Sequence, residues 1–383
     1  MKKVDLLFFD AGGGHRSAAN ALKESIERQG KPWRVELVNL QEALDELDIF
    51  RKLFGVRLQD CYNLLLNKGW TLGSPQLTRG MQFLIRLFHS GQVRMLEKLW
   101  LERRPDLVVS LVPNLNRAIG DSTREAIPNT PLVTILTDIA DFPPHFWIER
   151  QRQYLICGSR RAVEQARELG HEDRFIFQTS GMILNPRFYE PIALDRDAER
   201  RKLGLDPERK TGLVMFGGQG SNVMVEIAGS LDTQLICICG KNDHLAAKLR
   251  EMRRPAPMFV EGFTKQVPYY MWLSDFFIGK PGPGSISEAL AMKLPVIVER
   301  NAWTLPQERY NAEWIVENRV GMVLPNFRGI AGAVAEMLRP ENYARFRAGT
   351  EAQNNQAVFE IPGILEKILN TGAAQVTGQS GPA

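Results

Sequence analysis

The chain has 383 residues, more than one hydrophobic core comfortably serves, so two domains are expected. Its composition, 44% hydrophobic and 24% charged, is globular, and no apolar run approaches the ~20 residues of a membrane-spanning helix. The net charge of +4 is uneven: residues 50–104 hold ten Lys/Arg against Asp60, Glu97 and Glu102, a local +7 that leaves −3 elsewhere. A basic stretch of this kind points to an anionic partner. Without a nucleic-acid-binding motif, that partner is expected to be a membrane surface. Cys61, Cys157, Cys237 and Cys239 lack metal-ligand spacing and read as reduced residues of a cytoplasmic protein.

In chain order, VDLLFF, WRVELVN, DLVVSLV, LVTILT and QYLIC are the candidate strands of the first half. GLVMFG, QLICIC, MFVEG, DFFIG and PVIVE are those of the second. Strands this apolar are expected in parallel sheets buried on both faces, and their alternation with helical patterns predicts an α/β fold. The pattern restarts near residue 211 after a proline-bearing, mixed-charge segment. The predicted organisation is therefore two Rossmann-like domains, 1–188 and 189–370, facing across a cleft, with a small polar, disordered tail at 371–383. Ligands of open α/β sheets bind beyond the carboxyl ends of the strands.

Three loops can carry chemistry there. The first, Asp10-Ala11-Gly12-Gly13-Gly14-His15, joins strand one to a helix expected over Ala18–Gln29. Its glycines admit close backbone approach, and His15 would project from the loop to accept a proton from a hydroxyl. A tight turn carrying a solvated histidine accounts for the loop as well. The second loop, Gly217-Gly218-Gln219-Gly220-Ser221, repeats the strand–glycine–helix arrangement and offers N–H donors to a diphosphate. The third, Lys280-Pro281-Gly282-Pro283-Gly284-Ser285, leads into a helix expected to begin at Ser285. Glu288 either completes a capping box with Ser285 or accepts hydrogen bonds from a ribose diol. Asp195-Arg196-Asp197 has the spacing of a metal-binding D-x-D, but it lies in the linker, away from any strand end, and reads as solvated charge.

In this order and spacing, GGGHRSAANAL, GGQGS, GKPGPGSISEALAMKLPVIVE and PQERYNAEWIVENRVGMVL resemble the family 28 glycosyltransferases. The likeness is greatest to the monogalactosyldiacylglycerol synthase and processive diacylglycerol glucosyltransferase branch. The resemblance implies a GT-B fold and inverting transfer of galactose or glucose from a UDP-sugar to a lipid, diacylglycerol foremost, by an enzyme peripheral to the membrane. His15 would then be the base or its helper, with Asp138 steering its tautomer. Gly14, Gly217, Gly218, Gly220, Ser221, Gly282, Gly284 and Ser285 would line the donor phosphates, and Phe263 the uracil pocket. Glu288 would hold the ribose, and Gln307 and Glu308 the hexose. His145 and Trp147 follow Asp138 about two residues later than the family spacing. Phe83, Arg86 and Phe88, in a segment mixing bulky apolar and basic residues, read as an acceptor or membrane surface; an ordinary core helix with solvated arginines is the other reading. With helix N-termini and loop N–H groups facing the diphosphate, no metal or other cofactor is expected. A UDP-sugar 2-epimerase and a non-catalytic nucleotide-sugar-binding protein are the rival readings.

Overall fold

A computed structural model describes residues 1–9, 14–44, 87–142 and 145–377. The chain divides into two compact units, Met1–Pro186 with Gln356–Ala383, and Arg187–Asn355.

The first unit carries β1 (Lys2–Phe8), α1 (Gly14–Arg28), β2 (Trp33–Asn39), α2 (Leu40–Leu44), α3 (His89–Arg103), β3 (Leu107–Ser110) and α4 (Asn116–Ala126). It continues through β4 (Leu132–Ile135), β5 (Tyr154–Cys157), α5 (Arg160–Glu168) and β6 (Ile176–Gln178). Its six strands are all parallel, in the order β2-β1-β3-β4-β5-β6. The strand order reverses beside β1, so the crevice between the ends of β1 and β3 is the natural ligand position.

Alternation along β1 divides the core. Val4, Leu6 and Phe8 pack with α1, while Leu7 packs on the other face with Leu96 and Trp100 of α3. Asp5 is fully buried on that second face, where the Arg103 guanidinium donates to both its carboxylate oxygens at 2.6 and 3.0 Å and to Glu36 at 2.6 Å. Such an acid is tolerated because it is paired bidentately. Trp100 is likewise fully buried, with its indole N–H donating to Ser122 at 2.8 Å. Within the basic stretch 50–104, Trp100 is thus buried and Arg103 half-buried, whereas Arg94, Lys98, Leu101 and Arg104 are exposed on the same helix or just past its end. Phe88 is half-buried just before α3; Phe83, Arg86, Trp70 and Cys61 lie outside the described residues.

The second unit comprises α6 (Arg196–Lys202), β7 (Thr211–Met215), α7 (Val223–Ser230), β8 (Gln234–Ile238), α8 (Asp243–Glu251), β9 (Met258–Glu261) and α9 (Val267–Trp272). It continues with β10 (Phe276–Gly279), α10 (Pro283–Ala291), β11 (Val296–Glu299), α11 (Arg309–Glu317), β12 (Gly321–Leu324), α12 (Ile330–Met337) and α13 (Pro340–Ala352). Its parallel sheet has the order β12-β11-β10-β7-β8-β9, reversing between β7 and β10. Helices cover both faces through two separate clusters of buried side chains.

The linker aspartates and the last helix bear on two expectations, of which the second is corrected. Asp195 is the N-cap of α6, accepting from the N–H groups of Asp197 and Ala198 at 3.0 and 3.2 Å, and Arg196 donates to Trp272, Ser274 and Asp275. Asp195 and Asp197 are both exposed, as expected of solvated charge, and the pattern also starts a helix. The chain's last helix, α14 (Ala357–Thr377), belongs to the first unit, so residues 356–370 do not extend the second domain. Ala357, Ile361, Leu365 and Ile368 enter the core beside α1, and Ser25 and Lys31 bond to Val358 and Glu366. The helix also takes in 371–377 of the expected disordered tail, since its alanine-containing sequence can continue a helix already anchored by packing.

Candidate active site

His15 is the second residue of α1, which begins at Gly14, four residues earlier than expected. It therefore stands in a helical first turn rather than on a free loop; residues 10–13 lie outside those described. Its ring is half-buried, and Nδ1 is 3.0 Å from the Thr137 hydroxyl. Burial pushes the imidazole down from 6.5 to about 4, partly opposed by the backbone of Leu111 just beyond β3. The ring is consequently neutral at physiological pH, the form in which it can accept a proton.

Asp138 is linked to the His15 surroundings through Trp147. Its Oδ2 accepts the indole N–H of Trp147 at 2.8 Å, and the Trp147 ring centroid is 5.8 Å from that of His15. Trp147 is fully buried and held at two further points, its N–H by Asp141 at 2.7 Å and its carbonyl by Asn116 at 3.0 Å. Burial raises the Asp141 carboxyl to about 7. Trp147 thus reaches the site despite its later position in the chain. His145 turns back with φ +50° and contacts the Ile148 carbonyl at 3.2 Å.

In the second unit, the loops after β7 and β10 flank the reversal of strand order, where an open α/β sheet leaves its crevice. Gly217 and Gly220 have φ +73° and +61°. A Cβ on Gly220 would lie 2.7 Å from the Cys239 carbonyl, so the loop's close packing on the end of β8 requires glycine. Gly218 accepts from the Lys241 N–H at 2.9 Å, and Ser221 sits just ahead of α7, accepting from Val223 at 3.4 Å.

The third loop departs from expectation at its helix. α10 begins at Pro283 with Gly282 as N-cap and no side-chain cap, because proline at the first helical position sets the entry φ and lacks an N–H that would need satisfying. Ser285 and Gly284 fall within the first turn, where N–H groups have no intrahelical acceptor. Glu288 sits in the second turn, so no capping box forms. It is half-buried, its carboxylate has no hydrogen-bond partner among the described residues, and burial raises that carboxyl from 4.5 to about 7.

Gln307 and Glu308 lie in a 3₁₀ turn, Pro306–Glu308, after β11. Gln307 is half-buried; Glu308 is buried and accepts from the Lys280 ammonium at 3.1 Å. Lys280 was not among the expected site residues. Its Cε is 3.4 Å from where a Cβ would stand on Gly282 and 3.9 Å from that on Gly217, which brings both glycine loops and the Pro306–Glu308 turn together. Asn311 ties the arrangement down by donating to the Pro281 carbonyl at 2.8 Å. Phe263, just beyond β9, is exposed, with the Lys241 ammonium 5.6 Å from its ring centroid. Thr137 and Lys280 were the overlooked groups; each polar residue lies close behind a buried strand, a position from which it can reach the crevice.

A probable monogalactosyldiacylglycerol synthase 2 of rice is 27% identical over 96% of this chain and 81% of its own length. The spinach monogalactosyldiacylglycerol synthase is 26% identical over 96% of this chain and 73% of its own. The chain resembles the monogalactosyldiacylglycerol synthases. No protein-family model matches it. Among solved structures, Staphylococcus aureus MnaA with UDP superimposes with a TM-score of 0.62 at 16% identity, covering 97% of both chains. The UDP-GlcNAc 2-epimerase of Neisseria meningitidis, bound to UDP-GlcNAc, gives 0.59 at 13% identity over 96% of this chain and all of that one. These likenesses bear on fold alone, and the fold is GT-B.

Proposed function

We propose that this hexosyltransferase moves galactose or glucose from a UDP-sugar to a lipid hydroxyl, with 1,2-diacylglycerol the leading acceptor. The observation that carries the donor reading is the convergence of Gly217, Gly282, Lys280 and Glu308 at the strand reversal of the second sheet. Unpartnered Glu288 on the adjoining helix supplies a carboxylate for the ribose diol. The acceptor reading draws on the names of the sequence relatives. The exposed Arg94, Lys98 and Arg104, with Leu87 and Leu101, support working contact with an anionic membrane surface on its cytoplasmic side. No described helix is long and apolar enough to cross a membrane.

In the proposed reaction, Nδ1–H of His15 donates to Thr137 and leaves the Nε2 lone pair to take the acceptor hydroxyl's proton. The acceptor oxygen bonds to the anomeric carbon as the bond to the β-phosphate oxygen breaks, and that oxygen keeps the electron pair. One such displacement inverts the centre. First-turn N–H groups of α10 and the loop before α7 would meet the departing diphosphate, so the scheme requires no metal. His15→Ala tests the assignment. Turnover should fall on the order of 10²–10⁴-fold with UDP affinity nearly unchanged; near-normal turnover would move the base elsewhere. The epimerase reading has the fold likeness in its favour, and release of an epimerised sugar without lipid product would select it.

A further inference from the structure

Resting on that donor site, we propose that Lys280 binds the diphosphate of the UDP-sugar and neutralises the charge that builds on the β-phosphate as the sugar leaves. Its position is built rather than incidental. Proline and glycine follow it in the loop, Asn311 fixes the Pro281 carbonyl, and the buried Glu308 carboxylate holds its ammonium at 3.1 Å. Both glycines that bring backbone to the crevice face its Cε, and a Cβ on Gly282 would meet it in van der Waals contact at 3.4 Å. A phosphate accepting the first-turn N–H groups of α10 therefore approaches on the side of the ammonium, whose side chain is 43% exposed.

Lysine suits this task as a flexible point charge that can move between two anions. Without donor, Glu308 keeps the ammonium in place. With donor, the ammonium turns to the phosphate, and Glu308 becomes able to accept from hexose hydroxyls. In the transfer step the electron pair of the breaking anomeric C–O bond passes to a β-phosphate oxygen, and Lys280 donates a hydrogen bond to that oxygen without giving up its proton. Lys280 and Glu308 are in this way coupled: one anion releases the cation to another and takes up the sugar.

The test is titration calorimetry of Lys280→Met, Lys280→Arg and Glu308→Gln with UDP, UMP and uridine, alongside turnover. Lys280→Met should weaken UDP binding roughly ten- to hundredfold, as expected for a lost charge-assisted hydrogen bond, and leave uridine unchanged. Lys280→Arg should recover most of the UDP affinity. Glu308→Gln should hold UDP at least as tightly as the unaltered chain, because the ammonium is then released to the phosphate. An unchanged UDP affinity in Lys280→Met would overturn the proposal. So would an equal loss for uridine and UDP, which marks a disturbed fold, or a matching UDP loss in Glu308→Gln, which makes Lys280 only the support of Glu308. If the unaltered chain binds no UDP, it is the donor-site reading that fails.

Discussion

The Glu288 carboxyl gives the donor site a pH dependence whose sign follows from its surroundings. Burial without a partner raises it to about 7, so near neutrality it is poised between its acid and its anion. Ribose hydroxyls donate to the anion, so binding must remove the proton wherever one is present. With an acid constant near 7, this reduces affinity about tenfold at pH 6 relative to a plateau above pH 8, at about 1.4 kcal/mol per pH unit. Calorimetry with UDP-glucose at pH 5.5–8.5 reads the effect cleanly, because the doubly esterified diphosphate does not itself titrate in that range. Glu288→Gln should flatten the profile and bind ~10–100-fold more weakly at pH 8. The same carboxyl opposes folding. A raised native value means that stability is lost as pH rises from 4.5 through about 7. Glu288→Gln should therefore melt higher than the unaltered chain at pH 8 and converge with it near pH 4. Affinity that is flat or falls with pH in the unaltered chain, or a slope that persists in Glu288→Gln, would refute the reasoning.

Two further predictions concern the first unit. The His15 Cε1–H resonance, assigned by its loss in His15→Gln, should titrate near 4. Since its native value is lowered, stability should fall as pH drops from 6.5 toward that point. A midpoint at or above 6.5 would mean an exposed ring. Arg103→Leu should cost ~3–5 kcal/mol in urea unfolding because it leaves the Asp5 charge buried and unpaired, and Asp5→Val in the same chain should recover much of the loss. Equal stability of Arg103→Leu and the unaltered chain would remove that pair from the core.

Ten of the twelve strands among the described residues were legible as apolar runs. The two that were not, β6 and β12, end their sheets, are three and four residues long, and are mostly half-buried, so they lack the continuous apolarity that marks strands covered on both faces. The return of α14 to the first unit had no sequence signature. Its apolar spacing says that one face is buried, not against which sheet. At the site, glycine and proline spacing located the loops, because those residues dictate backbone shape. It did not reveal which polar groups meet: Thr137 bonds His15, Asp138 accepts from Trp147, and Glu308 is tied to Lys280. Trp100 and Arg103 show the same limit, since a basic and aromatic pattern on α3 is equally that of a surface and of a helix pinned to a buried aspartate.

The transfer itself tests the central claim most directly. Purified protein is incubated with diacylglycerol vesicles and with UDP-[14C]galactose or UDP-[14C]glucose, and the organic phase is resolved for labelled lipid. A β-glycoside of diacylglycerol should form from at least one donor, persist with EDTA, and be nearly abolished in His15→Ala. Tight UDP binding with no label in lipid from either donor would contradict the assignment of a lipid-directed hexosyltransferase.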